Sequence, residues 1–140
     1  MTAGPFYTGL LNFSLGQMEI RRKINQPDGP VILTASGAIT GKEIIQAIKD
    51  LVNDPDFKPN INSIWDFRAV TTRLIDSQEI TDLITFIRTI QEKRGRDYRV
   101  AILVSRDMDY GLARMFEAHS QSLPFQVSIF ENLEQAKSWI

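Results

Sequence analysis

The chain of 140 residues contains no cysteine. Disulfides, iron–sulfur ligation, thiolate zinc sites and a cysteine nucleophile are therefore excluded. It has a single histidine, His119. A serine-histidine triad would need that ring beside a serine and a carboxylate, and no Gly-x-Ser-x-Gly elbow is present. His119 follows Met115 by one helical turn and reads as a packed or surface residue rather than a base or metal ligand. The sequence also lacks a charge excess, with 16 basic against 17 acidic residues. Binding to a nucleic-acid backbone usually shows a basic surplus, so nucleic acid is not an expected partner. The eight glycines form neither a phosphate-loop nor a dinucleotide fingerprint, and no cofactor or metal is expected. Long apolar runs are missing as well. The opening "MTAGPFYTGLLNFSLG" is too short and too interrupted by Gly, Pro and Asn to cross a membrane, and no Lys or Arg precedes Arg21. It reads as neither signal peptide nor anchor, which gives the expectation of a cytoplasmic protein that is not an enzyme and does not insert into a membrane.

What is present is an alternation of strand-like and helix-like segments with no repeat or linker, the mark of one α/β domain. Such a length suffices to bury roughly two-thirds of the surface the unfolded chain exposes. "MEIRRKI" and "VILTASGAI" flank "NQPDGP", where Pro27 presets its backbone angle and Gly29 can take a positive one, so a hairpin is expected. Arg21, Arg22 and Lys23 on its outer strand suit a protected sheet edge. "TGKEIIQAIKDLV" places Ile44, Ile48 and Leu51 on one helical stripe. Thr40 with Glu43 has capping-box spacing; Asp76 with Glu79 repeats it, and Asn132 with Gln135 gives a weaker form. A second helix is predicted from Asp76 to Arg94. "YRVAILVS" reads as a strand covered on both faces. A third helix from Asp107 carries Leu112, Met115, Phe116 and His119, followed by strand "FQVSIF" and helix "LEQAKSWI". The expected fold is α/β, a mixed sheet of about five strands with four helices in the order β-β-α-β-α-β-α-β-α. Residues 17–140 form the domain. Residues 1–16 are apolar enough, through Phe6, Tyr7, Leu10, Leu11 and Phe13, to be expected to dock on it or on a second copy.

This order, with the phrases "GAIT", "DPDFKPN", "IWDFRAV", "YGLARMFE" and "ENLEQAKSWI", resembles the STAS domains, and within them the bacterial SpoIIAA-like or STAS/SEC14-domain proteins. The resemblance spans residues 17–140. It implies a regulatory protein-interaction module of the anti-sigma-factor-antagonist kind. In those antagonists an Asp-Ser-Ser-Gly motif follows the "WDFRAV" strand, and its second serine is the phosphorylation switch. Here the segment is "IDSQEI": Asp76 and Ser77 match, but Gln78 holds the switch position and Glu79 the glycine's, so the switch is not carried over. Ser77 stays a phosphorylation candidate because a helix N-terminus favours phosphate, although capping already explains an Asp-Ser pair there.

Asp66 and Arg68 are two residues apart on one strand face, positioned for a salt bridge near the sheet rim. Residues 69–75 read as a loop. In an open sheet, the carboxyl ends of parallel strands meet helix N-termini in a crevice. That places Asp66, Arg68, Thr71, Thr72, Arg73 and Ser77 beside Ser105, Arg106 and Tyr110 as a candidate surface for an anion or a protein partner, either another chain or a second copy in a homodimer. Gly111, early in its helix, suggests close approach by a neighbouring segment, a ligand or a partner. An alternative function is a small-molecule or lipid carrier of the SEC14 type, using an apolar cleft near Met108, Met115 and Phe116 for a small hydrophobic ligand.

Overall fold

The structure, a computed structural model, describes residues 19–25, 27–105 and 107–140, and the side chains of all of these except Asp107 and Met108. The expected docking of residues 1–16 lies outside the described residues, as do Arg106 and the Met108 side chain.

Strands β1 (Glu19–Ile24) and β2 (Val31–Thr40) form an antiparallel hairpin. Helix α1 (Gly41–Val52), strand β3 (Ser63–Leu74), helices α2 (Ser77–Thr89) and α3 (Gln91–Arg94), strand β4 (Arg99–Leu103), helix α4 (Asp107–His119), a 3-10 turn (Ser120–Ser122), strand β5 (Gln126–Phe130) and helix α5 (Leu133–Trp139) follow. The sheet runs β1-β2-β3-β4-β5, parallel from β2 to β5. The hairpin turn needs its glycine: Gly29 has φ +84°, and a Cβ there would lie 2.5 Å from Ile61 Cγ1. On the outer edge, Arg22 Nε donates to Asp54 Oδ2 at 2.9 Å, tying β1 to the end of α1.

The capping predictions hold. The Thr40 hydroxyl accepts from the Glu43 N–H and the Glu43 carboxylate accepts from the Thr40 N–H; Asp76 and Glu79 form the same reciprocal pair. Asn132 accepts from the Gln135 N–H at 2.8 Å. Each cap satisfies early helix N–H groups that would otherwise be orphaned, about 1 kcal/mol apiece.

The sheet buries both faces. One carries Val31, Leu33, Trp65, Val100 and Ile102 against α1, α2 and α4. The other carries Ile64, Ala101 and Leu103 against Ala136 of α5. The alternation along β4 thus serves two cores, as its nearly continuous apolar run implies.

Three expectations are corrected. The second helix is not continuous to Arg94: it ends at Thr89 and restarts as α3, so the fold has five α-helices rather than four, with two of them between β3 and β4. Thr81, Thr85 and Thr89 each donate a hydroxyl back to a carbonyl of the preceding turn, and such back-bonding bends a helix. Residues 69–74 are not a loop; β3 continues through them, paired with β2 as far as Thr40 opposite Leu74. Val70, Thr71 and Thr72 favour extended backbone. Lastly, Gly111 is exposed and a Cβ there would meet nothing within 4 Å, so of the three alternatives the neighbouring segment is removed: no described segment approaches it.

Candidate functional site

The long central strand creates the site. Its pairing with β2 shifts between Thr34 and Ser36 and again between Gly37 and Ala38, with an extra residue on β3 each time. Each bulge reverses the inward and outward alternation. In consequence Ser63, Trp65, Phe67, Val70 and Arg73, which do not share a simple two-residue period, all line one cavity. Gly37, with φ +77°, sits at the second shift.

That cavity has a volume of about 120 Å³ and lies between the sheet and helices α1, α2 and α4. Ile44 and Ile48 of α1, Leu83 and Ile87 of α2, and Ala113 and Phe116 of α4 contribute apolar walls. It reaches from Tyr98 and Phe125, just before β4 and β5, to Val104 and Asp109 at the carboxyl ends of the strands. Three polar features interrupt the lining. Toward the carboxyl ends, Arg73 forms an ion pair with Asp109, their side chains 16% and 4% exposed. At the opposite end, Arg94 is 5% exposed, and its Nη1 has no hydrogen-bond partner. Its guanidinium lies 3.6 Å from the centre of the Tyr98 ring and 5.7 Å from that of Phe57. Beside these strand starts, the fully buried Ser63 Oγ also lacks a partner.

Burial dominates the ionisation of this end. It lowers the Arg94 pKa to about 10, partly offset by Tyr98, and raises the Tyr98 pKa to about 12, partly offset by Arg94. Tyr98 stacks on Phe125 with ring centres 4.7 Å apart.

Arg94 is held by the turn that follows it. The Asn60 N–H donates to the Arg94 carbonyl at 2.9 Å, and Asn60 Oδ1 accepts from the Arg96 and Asp97 N–H groups. Gly95 has φ +104°, and a Cβ on it would fall 2.2 Å from Asn60 Oδ1 and 2.6 Å from the Asn60 nitrogen. Gly95→Ala therefore combines strain with a backbone clash and is expected to cost about 2–4 kcal/mol, measured as a drop in urea midpoint at constant slope. A loss below about 0.5 kcal/mol would show that the turn does not fix Arg94.

Of the residues named from sequence, Asp66 and Arg68 do pair: two side-chain hydrogen bonds of 2.9 Å join them, and the Arg68 N–H adds a third to Asp66. Partial burial pushes the Asp66 carboxyl up, but the Arg68 hydrogen bonds outweigh it and hold the group below the usual carboxylate range. They stand in mid-strand rather than at a strand end. Ser105 Oγ lies 3.5 Å from the Arg68 carbonyl, bringing the β4–α4 junction to the β3 arm. Thr71, Thr72 and Ser77 are exposed along this arm and the α2 start. Tyr110 is half-buried with the Arg114 guanidinium 5.2 Å from its ring. Arg73 points inward to Asp109, which removes it from the exposed set. Of the apolar cleft, Phe116 lines the cavity, while Met115 packs on the core without lining it. His119 is exposed at the end of α4. Sequence reasoning missed Arg94, Tyr98, Asp109 and Ser63. Only the Gly95 that follows Arg94 hinted at a constrained turn.

Among the described residues no three His, Asp or Glu side chains group to hold a metal, and no helix is long and apolar enough to cross a membrane. No family model and no curated protein matches the sequence. Solved structures do. One is an uncharacterized DUF3478-family protein with a SpoIIAA-like fold from Shewanella loihica PV-4, with TM-score 0.56 and 18% identity over 92% of this chain and 98% of that one. Another is an anti-sigma factor antagonist from Mycobacterium paratuberculosis, with TM-score 0.52 and 16% identity over 87% of this chain and 94% of that one. The β-hairpin, the parallel strands and the helices packed on both faces thus compose a SpoIIAA-like fold.

Proposed function

We propose that this domain is a non-catalytic regulatory module that docks a protein partner through the β3 arm and the start of α2. The observation that carries this reading is Leu74, the exposed large apolar side chain among the described residues, 58% accessible. It stands at the tip of β3 directly before the Asp76 cap, with exposed Thr71, Thr72 and Ser77 around it. An exposed apolar side chain with small hydroxyl residues close by in sequence suits a binding patch. It also occupies the strand-helix junction that carries the switch in anti-sigma-factor antagonists. Because Gln78 stands where the switch serine would be, the reading is of docking without that switch. The partner is another protein or a second copy.

The test is a Leu74→Glu variant immobilised beside wild type and presented with extract from the source cells, together with sedimentation of each alone. The account expects the variant to lose the bound chain or the dimer at an unchanged melting temperature. Equal recovery and equal mass would remove this surface from consideration.

A second reading, a carrier or sensor of a small apolar ligand, is favoured by the cavity behind the arm. Its volume excludes a whole diacyl lipid, since an apolar cavity of about 150 Å³ accommodates a benzene ring.

A further inference from the structure

We propose that the cavity binds a small apolar carboxylate whose head group is held by Arg94; this rests on the second reading above, that the cavity takes a small ligand. The two charged features of the cavity differ in what they ask of a ligand. Arg73 and Asp109 neutralise each other. Arg94 is paired with no carboxylate among the described residues, and its Nη1 donor is buried without an acceptor. Ring faces attract a cation but accept no in-plane N–H bond. A guanidinium presents a flat fork that matches the two oxygens of a carboxylate. Ser63 Oγ, also unpartnered, supplies a second polar group beside the same strand starts.

The remaining wall is hydrocarbon, including Leu83, Ile87, Val100, Ile102 and Phe116. A neutral ligand would leave the buried charge uncompensated. The volume of about 120 Å³, below the ~150 Å³ of a cavity that takes benzene, sets the size at roughly five or six non-hydrogen atoms. The fixed turn at Gly95 and Asn60 means that Arg94 need not reorganise to meet the head group, which favours binding.

Butanoate, 1-butanol and butylamine, titrated into the protein at pH 7 and followed by NMR, test this. Butanoate is expected to bind at least tenfold more tightly than 1-butanol, with its C2 methylene giving NOEs to the Tyr98 and Phe125 rings, and butylamine to bind most weakly. In Arg94→Met the preference for butanoate over 1-butanol should vanish. Equal binding of butanoate and 1-butanol by wild type, or contacts only at the Arg73 end, would overturn the carboxylate assignment while leaving the cavity a ligand site. No binding of any of the three would overturn both. The wild-type ratio and NOE pattern decide the matter even should the variant fail to fold.

Discussion

Arg73→Met is expected to destabilise the domain by about 3–5 kcal/mol, because it removes the counter-charge that the buried Asp109 carboxylate pairs with in the cavity wall. The double variant Arg73→Met with Asp109→Leu should recover most of that loss, since replacing both members of a buried pair with apolar groups of similar size is often neutral. A double-mutant cycle in urea reads the coupling directly. A loss under about 0.5 kcal/mol for Arg73→Met would mean that the guanidinium behaves as a surface group, and would restore Arg73 to the exposed binding set.

The second large effect has the opposite sign. Arg94→Met is expected to stabilise the ligand-free protein by about 1–3 kcal/mol, with the urea midpoint rising. Lowering an arginine from 12.5 to about 10 corresponds to on the order of 3 kcal/mol disfavouring the buried charge, and the lost contact with the Tyr98 ring subtracts from the gain. A base whose folded pKa is depressed carries its full penalty below that folded value, and the penalty is relieved only as pH rises from about 10 toward 12.5. The gain should therefore be the same at pH 6 and pH 8. Destabilisation of more than 1 kcal/mol would show that Arg94 is an integral core residue rather than a group kept waiting for a counter-charge.

Much of this architecture is legible in the sequence because its signals are local. The Thr40–Glu43 and Asp76–Glu79 spacings mark helix starts, Pro27 and Gly29 mark the hairpin, and "YRVAIL" announces a strand with two covered faces. Asp66 and Arg68 are found because two residues apart on a regular strand means the same face. The same rule fails a few residues later. The first bulge on β3 reverses the alternation, so Val70 turns inward where an unbroken period would not group it with Ser63 and Trp65; the second reverses it again and brings Arg73 back to their side. Bulges are set by pairing with β2 and carry no mark in β3 itself. The break at Ile90 is equally hidden, since Ile80, Leu83, Ile84, Ile87 and Ile90 continue one apolar stripe across it. Arg94, written among Gln91, Glu92, Lys93 and Arg96, looks like one more solvated charge; only the turn that folds it under Phe57 and onto Tyr98 makes it a cavity residue. Leu74 was masked by the opposite error, because an apolar residue in a segment read as a loop does not stand out until the strand is seen to project.

The projecting arm and the cavity share β3, so one strand presents Leu74 to solvent and Trp65, Val70 and Arg73 to the interior. The claim that this arm is a docking surface is tested most directly by a photoreactive amino acid placed at position 74 and, as a control, at the exposed Gln46 position on α1, with irradiation in the source cells. The account predicts a discrete cross-linked species from position 74, to another chain or to a second copy, and none from position 46. No adduct at position 74, or the same adducts from both positions, would contradict it.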